Sequence, residues 1–334
     1  MKKIVAILLS LTMVVGVMAF ASAEGITIGV VYKQSGNPFF QAAVRGFEEA
    51  AGEMGFEMLH NGPADSSNEG QIQIIEGYIA QGVDAIAISA NDPDGIVPVL
   101  QKAMDAGIIV VSWDSAVAPE GRNLNIDPSV AENIGVVQVE EIAKQIGGEG
   151  QIAILSAAAT HANQNTWIEY MKIELEKEEY ANIELVDVVY GDDLPDKSYQ
   201  EMEGLIKTYP ELKGVISPTT VGVAAAANCI NDNALNGIIM LTGLGLPSEM
   251  AEWIENGASQ GVFLWNPIDL GYCAAYATVA LINGDIEGAI GEEFDAGRLG
   301  EQLILDDGNG NAFSIVGDPF YFYIGNIAEW KDVY

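Results

Sequence analysis

Short runs of β-branched and apolar residues punctuate the chain: ITIGVVY at 26–32, DAIAISA at 84–90, IIVVSWD at 108–114, QIAILSA at 151–157, GVISPT at 214–219, GIIMLTG at 237–243 and GVFLWN at 261–266. Between them, segments at 38–53, 68–81, 95–106, 129–146, 163–178, 198–209 and 221–233 repeat apolar positions at helical spacing. Unbroken apolar runs are what strands look like when both faces of a parallel sheet are covered, and the crossovers joining such strands are helices. The alternation predicts an α/β fold. Asn37-Pro38 and Asp92-Pro93 each put a capping residue ahead of a proline suited to the first helical position, and Gly82 and Gly107 follow helical segments as left-handed stops. The rhythm runs to about residue 126 and restarts at Gln151. One sheet of so many strands would be large, so the pattern predicts two doubly wound, three-layer α/β/α lobes joined by a hinge. The expected crossings lie near 125–127, 266 and 298. That gives a first lobe of 24–126 plus 266–297 and a second of 127–265 plus 298–334.

The N-terminus carries an address. Lys2 and Lys3 precede an apolar run at 4–20, and Ala21-Ser22-Ala23 follows it. This is the layout of a secretory signal peptide over 1–23, cleaved near Ala23. No cysteine lies beside the cleavage site to carry a lipid, so the expected product is exported, periplasmic and soluble. Composition sharpens this. Fourteen Lys and Arg stand against 48 Asp and Glu, a formal charge of −34. Like-charge repulsion then excludes nucleic acid or an anionic membrane surface as the main partner. A hydrophobic content of 49% argues against disorder. The two cysteines, Cys229 and Cys273, make neither a disulfide framework nor a zinc site.

In open α/β sheets ligands sit beyond the carboxyl ends of strands, so the residues after each apolar run are the candidates. They are Lys33, Phe39 and Phe40; Asn91; Asp114; Asn163 and Gln164; Pro218 and Thr220; and Trp265 with Asn266. Amides, carboxylates and an ammonium pair well with vicinal hydroxyls, and aromatic rings can cover the apolar face of a sugar. Catalytic constellations are missing: there is no phosphate-binding glycine motif, no G-x-S-x-G and no H-E-x-x-H, and the only histidines are His60 and His161. No enzyme activity, metal or cofactor is expected. Asp192-Asp193 reads as a surface turn. Asp307-Gly-Asn-Gly-Asn311 reads as a hairpin turn, since Ala312 stands where a calcium loop demands glycine.

Longer stretches carry a resemblance. GPADSSNEGQIQIIEGYIAQGVDAIAISANDPDGIVPVLQKAMDAGIIVVSWDS (62–115), NQNTWIEYMK (163–172), VYGDDLPDKSYQE (189–201), SPTTVGVAAAA (217–227), and TGLGLPSEMAEWIENGAS with FLWNPIDLGY (242–272) resemble periplasmic sugar-binding proteins of the ribose-binding type. Within that type they are most similar to rhamnose-binding components of ABC transporters and to the related autoinducer-2 receptors. The resemblance implies a monomer that closes two lobes on a small sugar and docks on a membrane permease. In autoinducer-2 receptors the ligand is held by a Lys after the first strand, the Asp of a W-D pair, an Asp-Gln pair and a Pro-x-Ala. Lys33, Asp114 and Gln164 match by motif, whereas Asn163 replaces the Asp and Thr220 the Ala after Pro218. The resemblance therefore leans to an L-rhamnose-like deoxyhexose, with autoinducer-2 as the alternative.

Overall fold

The computed structural model describes residues 25–334. The expected signal peptide and its cleavage point lie outside the described residues. Five parallel strands open the chain: β1 (Thr27–Val31), β2 (Glu57–Asn61), β3 (Ala85–Ile88), β4 (Ile109–Trp113) and β5 (Leu124–Asp127). Between them run α1 (Pro38–Met54), α2 (Asn68–Gln81) and α3 (Val97–Asp105). The second set is α4 (Ala131–Ile146), β6 (Gly150–Ser156), α5 (Ala162–Leu175), β7 (Ile183–Tyr190), α6 (Pro195–Thr208), β8 (Leu212–Ser217), α7 (Thr220–Asp232), β9 (Met240–Gly243), α8 (Pro247–Glu255) and β10 (Gly261–Leu264). The chain then returns through α9 (Pro267–Asn283), β11 (Glu293–Asp295), β12 (Glu301–Leu303), β13 (Leu305–Asp306) and β14 (Ala312–Ile315), and ends with β15 (Phe320–Tyr323) and α10 (Ile327–Trp330).

Most of these strands lie in two sheets with helices on both faces, while β11 and β12 form a separate antiparallel pair. The first has the order β13-β14-β5-β4-β3-β1-β2, and the second β7-β6-β8-β9. A single parallel bridge, Leu244 to Phe263, links β9 to β10, and β15 pairs antiparallel with β10. Strand order reverses beside β1 in one sheet and beside β6 in the other, so each sheet has a switch point where a crevice opens at the carboxyl ends. Alternate residues of β1, β3 and β4 face different cores. Val31, Ile86, Ile88 and Val110 pack with α2 and α3, while Ile28, Val30, Ala85 and Val111 belong to a core continuous with the second lobe.

Local signals behave as their chemistry requires. Asn37 caps α1 by accepting from the Phe39 amide at 2.9 Å, and Gly82 closes α2 at φ 70°. Asp92 instead folds back on the Asp94 and Gly95 amides, and α3 starts only at Val97. Helix α9 had no signature, because it is apolar on every side and buried along nearly its whole length. It lies against α1 in a contact that two glycines make possible. A Cβ on Gly46 would fall 1.9 Å from the Ile268 carbonyl oxygen, and one on Gly271 would fall 2.0 Å from that of Ala43.

One expected crossing moves. Strands β13 and β14 extend the first sheet past β5, with Phe313 opposite Asn125 and Ile315 opposite Asp127. Residues 298–315 therefore sit with the first lobe, and the third crossing follows Ile315 rather than lying near Arg298. There the Val316 and Gly317 amides bond the carbonyls of Asp127 and Pro128, so two crossings run side by side. Arg298 itself is fastened to the first lobe, 3.8 Å over the Tyr272 ring and bonded to Asp269 and Glu49. The turn at 307–311 closes the β13–β14 hairpin, its Asp306 and Asp307 carboxylates accepting backbone amides.

Candidate functional site

The carboxyl ends of β1, β4, β6, β7, β8, β9 and β10 converge on a cavity between the lobes. The first lobe supplies Lys33, Asn37, Phe39, Phe40 and Asp114. Facing them are Gln164, Trp167, Asp193, the run Pro218-Thr219-Thr220, Leu244, Leu264 and Trp265.

Lys33 follows β1 and is 1% exposed. Its Nζ crosses the cleft to donate to Asn163 Oδ1 at 2.9 Å. Burial pulls the ammonium down from its ordinary range, and Asp114 and Asp193 oppose that through space. Asn91 holds the lysine backbone by donating its amide to the Lys33 carbonyl at 3.0 Å, while its own N–H is taken by Gln71 Oε1. Asp114 sits just past β4 at φ 61°, in a tight turn where the Ser115 amide reaches the Trp113 carbonyl at 2.6 Å. A side chain in that left-handed region costs on the order of 1 kcal/mol and is least unfavourable for Asp and Asn. The turn aims the carboxylate into the cavity, where Ser89 Oγ donates to Oδ2 at 2.7 Å. Burial raises the Asp114 carboxyl, and Lys33 and Ser89 partly offset that.

The second lobe is less completely bonded. Gln164 Oε1 and Trp265 Nε1 are buried without a protein partner, although both residues line the cavity. Thr220 Oγ1 reaches Asn37 Oδ1 at 3.3 Å, a second polar link across the cleft. Trp265 meets Phe39 edge-on at a centroid separation of 6.1 Å and Trp167 at 5.7 Å, so an aromatic chain spans both lobes behind the polar groups. His161, fully buried just before α5, has neither ring nitrogen partnered. Burial first and Lys33 second keep it neutral.

Of the residues expected at strand ends, Lys33, Phe39, Phe40, Asp114, Gln164, Pro218, Thr220 and Trp265 line the cavity. Asn163 and Asn91 do not, and act on Lys33 instead. Asn266 is turned to α9, capping it through Oδ1 and donating to Asp269 at 2.7 Å. Asp193 corrects the sequence reading of a surface turn: it is 3% exposed, lines the cavity and accepts from Thr219 Oγ1. Both Asp192 and Asp193 have φ 53°, which turns the outer carboxylate to Lys197 and the inner one to the cleft. Trp167 and Leu244 were also unforeseen.

Residues 28–286 match the periplasmic binding protein domain. The chain belongs to this family. Its architecture is the type I form of that fold, and its role is binding rather than catalysis. An ABC transporter solute-binding protein from Clostridium phytofermentas with bound L-rhamnose is 38% identical, superposes at a TM-score of 0.91, and matches over 94% of this chain and 100% of its own. The D-ribose/D-allose-binding protein of Pseudomonas aeruginosa is 26% identical over 65% of this chain and 69% of that protein. LsrB from Clostridium saccharobutylicum in complex with AI-2 shares the fold at a TM-score of 0.86 with 21% identity, covering 91% of this chain and 99% of its own.

Proposed function

We propose that this periplasmic binding protein is the exported sugar receptor of an ABC importer, taking an L-rhamnose-like deoxyhexose as a monomer and handing it to a membrane permease. The observation that carries the reading is the cavity's division of labour. Lys33, Asp114, Asp193 and Gln164 suit a set of ring hydroxyls, and Leu244, Leu264, Phe39 and Trp265 form an apolar wall suited to a methyl group and a ring face. The rhamnose-bound relative supports the choice of sugar. Ligand bridging both halves favours the closed arrangement by its differential affinity for it. Autoinducer-2 is the second reading, since Lys33, Asp114 and Gln164 stand where that receptor type uses the same residues.

Calorimetric titration with L-rhamnose and autoinducer-2 side by side tests this. One-to-one binding of rhamnose alone is expected. Binding of autoinducer-2 alone would transfer the role to the furanose signal, and silence from both would remove the deoxyhexose assignment.

A further inference from the structure

Asp193 was hidden in a run that reads as an exposed turn, yet it is one of two carboxylates that the lobes present to a single ammonium. Asp114 comes from the first lobe and Asp193 from the second. In each, one oxygen is taken by a hydroxyl of its own lobe: Ser89 for Asp114 Oδ2, Thr219 for Asp193 Oδ1. The other oxygen of each has no protein hydrogen bond, and both residues line the cavity. Among the described residues no direct ion pair joins Lys33 to either of them; the ammonium's hydrogen bond goes to neutral Asn163. The turn carrying Asp193 is pinned to β6, with the Gly191 and Asp192 amides bonded to the Ser156 and Ala157 carbonyls at 2.9 and 3.0 Å.

We propose that Asp193 is a specificity-determining residue: its free oxygen accepts a ligand hydroxyl, and its charge makes the site reject sugar acids. The inference rests on the sugar-binding reading above. Burial raises the carboxyls of both Asp114 and Asp193 and Lys33 opposes this in each, so two acids face one ammonium and the polar part of the cavity offers no spare positive charge to an anion. A neutral polyol answers it with hydroxyl donors on both sides of the ammonium, one per carboxylate. An aldonate would bring its own negative charge into a desolvated space beside two acids, where like charges repel strongly. Thr219 serves as the positioning residue, holding the carboxylate so that one oxygen stays free.

The test compares wild type with Asp193→Asn, an isosteric change that asparagine tolerates at positive φ. L-rhamnose and L-rhamnonate are titrated into both. Wild type is expected to prefer the sugar over the acid at least 100-fold. Asp193→Asn should weaken L-rhamnose at least tenfold and narrow the preference to below tenfold, with an unchanged melting temperature. L-rhamnose affinity within twofold of wild type together with an unchanged preference would overturn the proposal. A ligand-free arm follows the Lys33 ammonium by NMR, where removing the Asp193 charge should move its titration downward. No movement means that Asp193 does not act on Lys33, which also overturns it. If wild type binds neither compound, the sugar reading fails and the specificity role falls with it, while the NMR arm still reports whether the charges are coupled.

Discussion

The two lobes share an architecture but present their halves of the cleft differently. In the first lobe each polar side chain lining the cavity already holds a protein hydrogen bond, Asp114 from Ser89, Lys33 to Asn163 and Asn37 from the first turn of α1, and one Asp114 oxygen stays free. Across the cleft, Gln164 Oε1 and Trp265 Nε1 are left without protein partners, and Asp193 depends on two consecutive left-handed residues. The first lobe is a preorganised anchor, and the second holds the groups whose hydrogen bonding is completed by what enters. Loss of an anchor group should therefore cost more affinity than loss of a second-lobe group.

The sharpest way to break that comparison is Lys33→Met, which leaves Asp114 and Asp193 buried with no counter-charge. Truncating one partner of a buried, hydrogen-bonded charge set in a binding site costs about 2–5 kcal/mol of binding free energy, so affinity for the sugar should fall by about 100-fold in calorimetry. The anchor also depends on the α1–α9 contact. Gly46→Ala should destabilise the protein by about 1–3 kcal/mol through overpacking against the Ile268 carbonyl, seen as a lowered Tm in thermal melts. An unchanged Tm would mean that the helices can separate without cost. On the other side, Gln164→Ala removes one neutral hydrogen-bonding group. A loss of about 1 kcal/mol, or roughly fivefold in Kd, is expected from the same titrations. Were Gln164→Ala to cost as much as Lys33→Met, the division into anchor and completing half would be wrong.

A separate effect, away from the cleft, concerns stability and pH. Burial pushes the Glu249 carboxyl, in the first turn of α8, up to about 7 from 4.5. A raised acid binds its proton more tightly when folded, so its stabilising contribution is complete below the unfolded value and is lost as pH climbs through about 7. Glu249→Gln should flatten the fall of Tm between pH 5 and 7.5 relative to wild type, on the order of several degrees. An identical pH slope in the variant would show that Glu249 is not protonated in the native protein.

Much of this was legible because of what buried parallel strands look like. The core strands β1, β3, β4, β6, β8, β9 and β10 are apolar on both faces, and the rule that ligands gather at their carboxyl ends pointed to Lys33, Asp114 and Gln164. Strands β2 and β7 escaped notice since they are sheet edges, largely half-buried or exposed, without a continuous apolar run. Missing β7 hid Asp193, because Gly-Asp-Asp-Leu-Pro has the composition of a solvent-facing turn and only the strand before it sends the second aspartate inward. Asn266 followed an apolar run just as Asp114 did, but the helix beginning at Pro267 claimed its side chain as a cap. The return of 305–315 to the first sheet left no pattern either, since β13 and β14 are only two and four residues long.

The central claim is that ligand is held by both lobes at once and draws them together. Small-angle X-ray scattering of the protein, without ligand and saturated with L-rhamnose, measures this directly. The account expects a smaller radius of gyration on saturation, at the concentrations where calorimetry reports one-to-one binding. Sugar bound with no change in radius, in a protein that scatters as an open pair of lobes throughout, would contradict it.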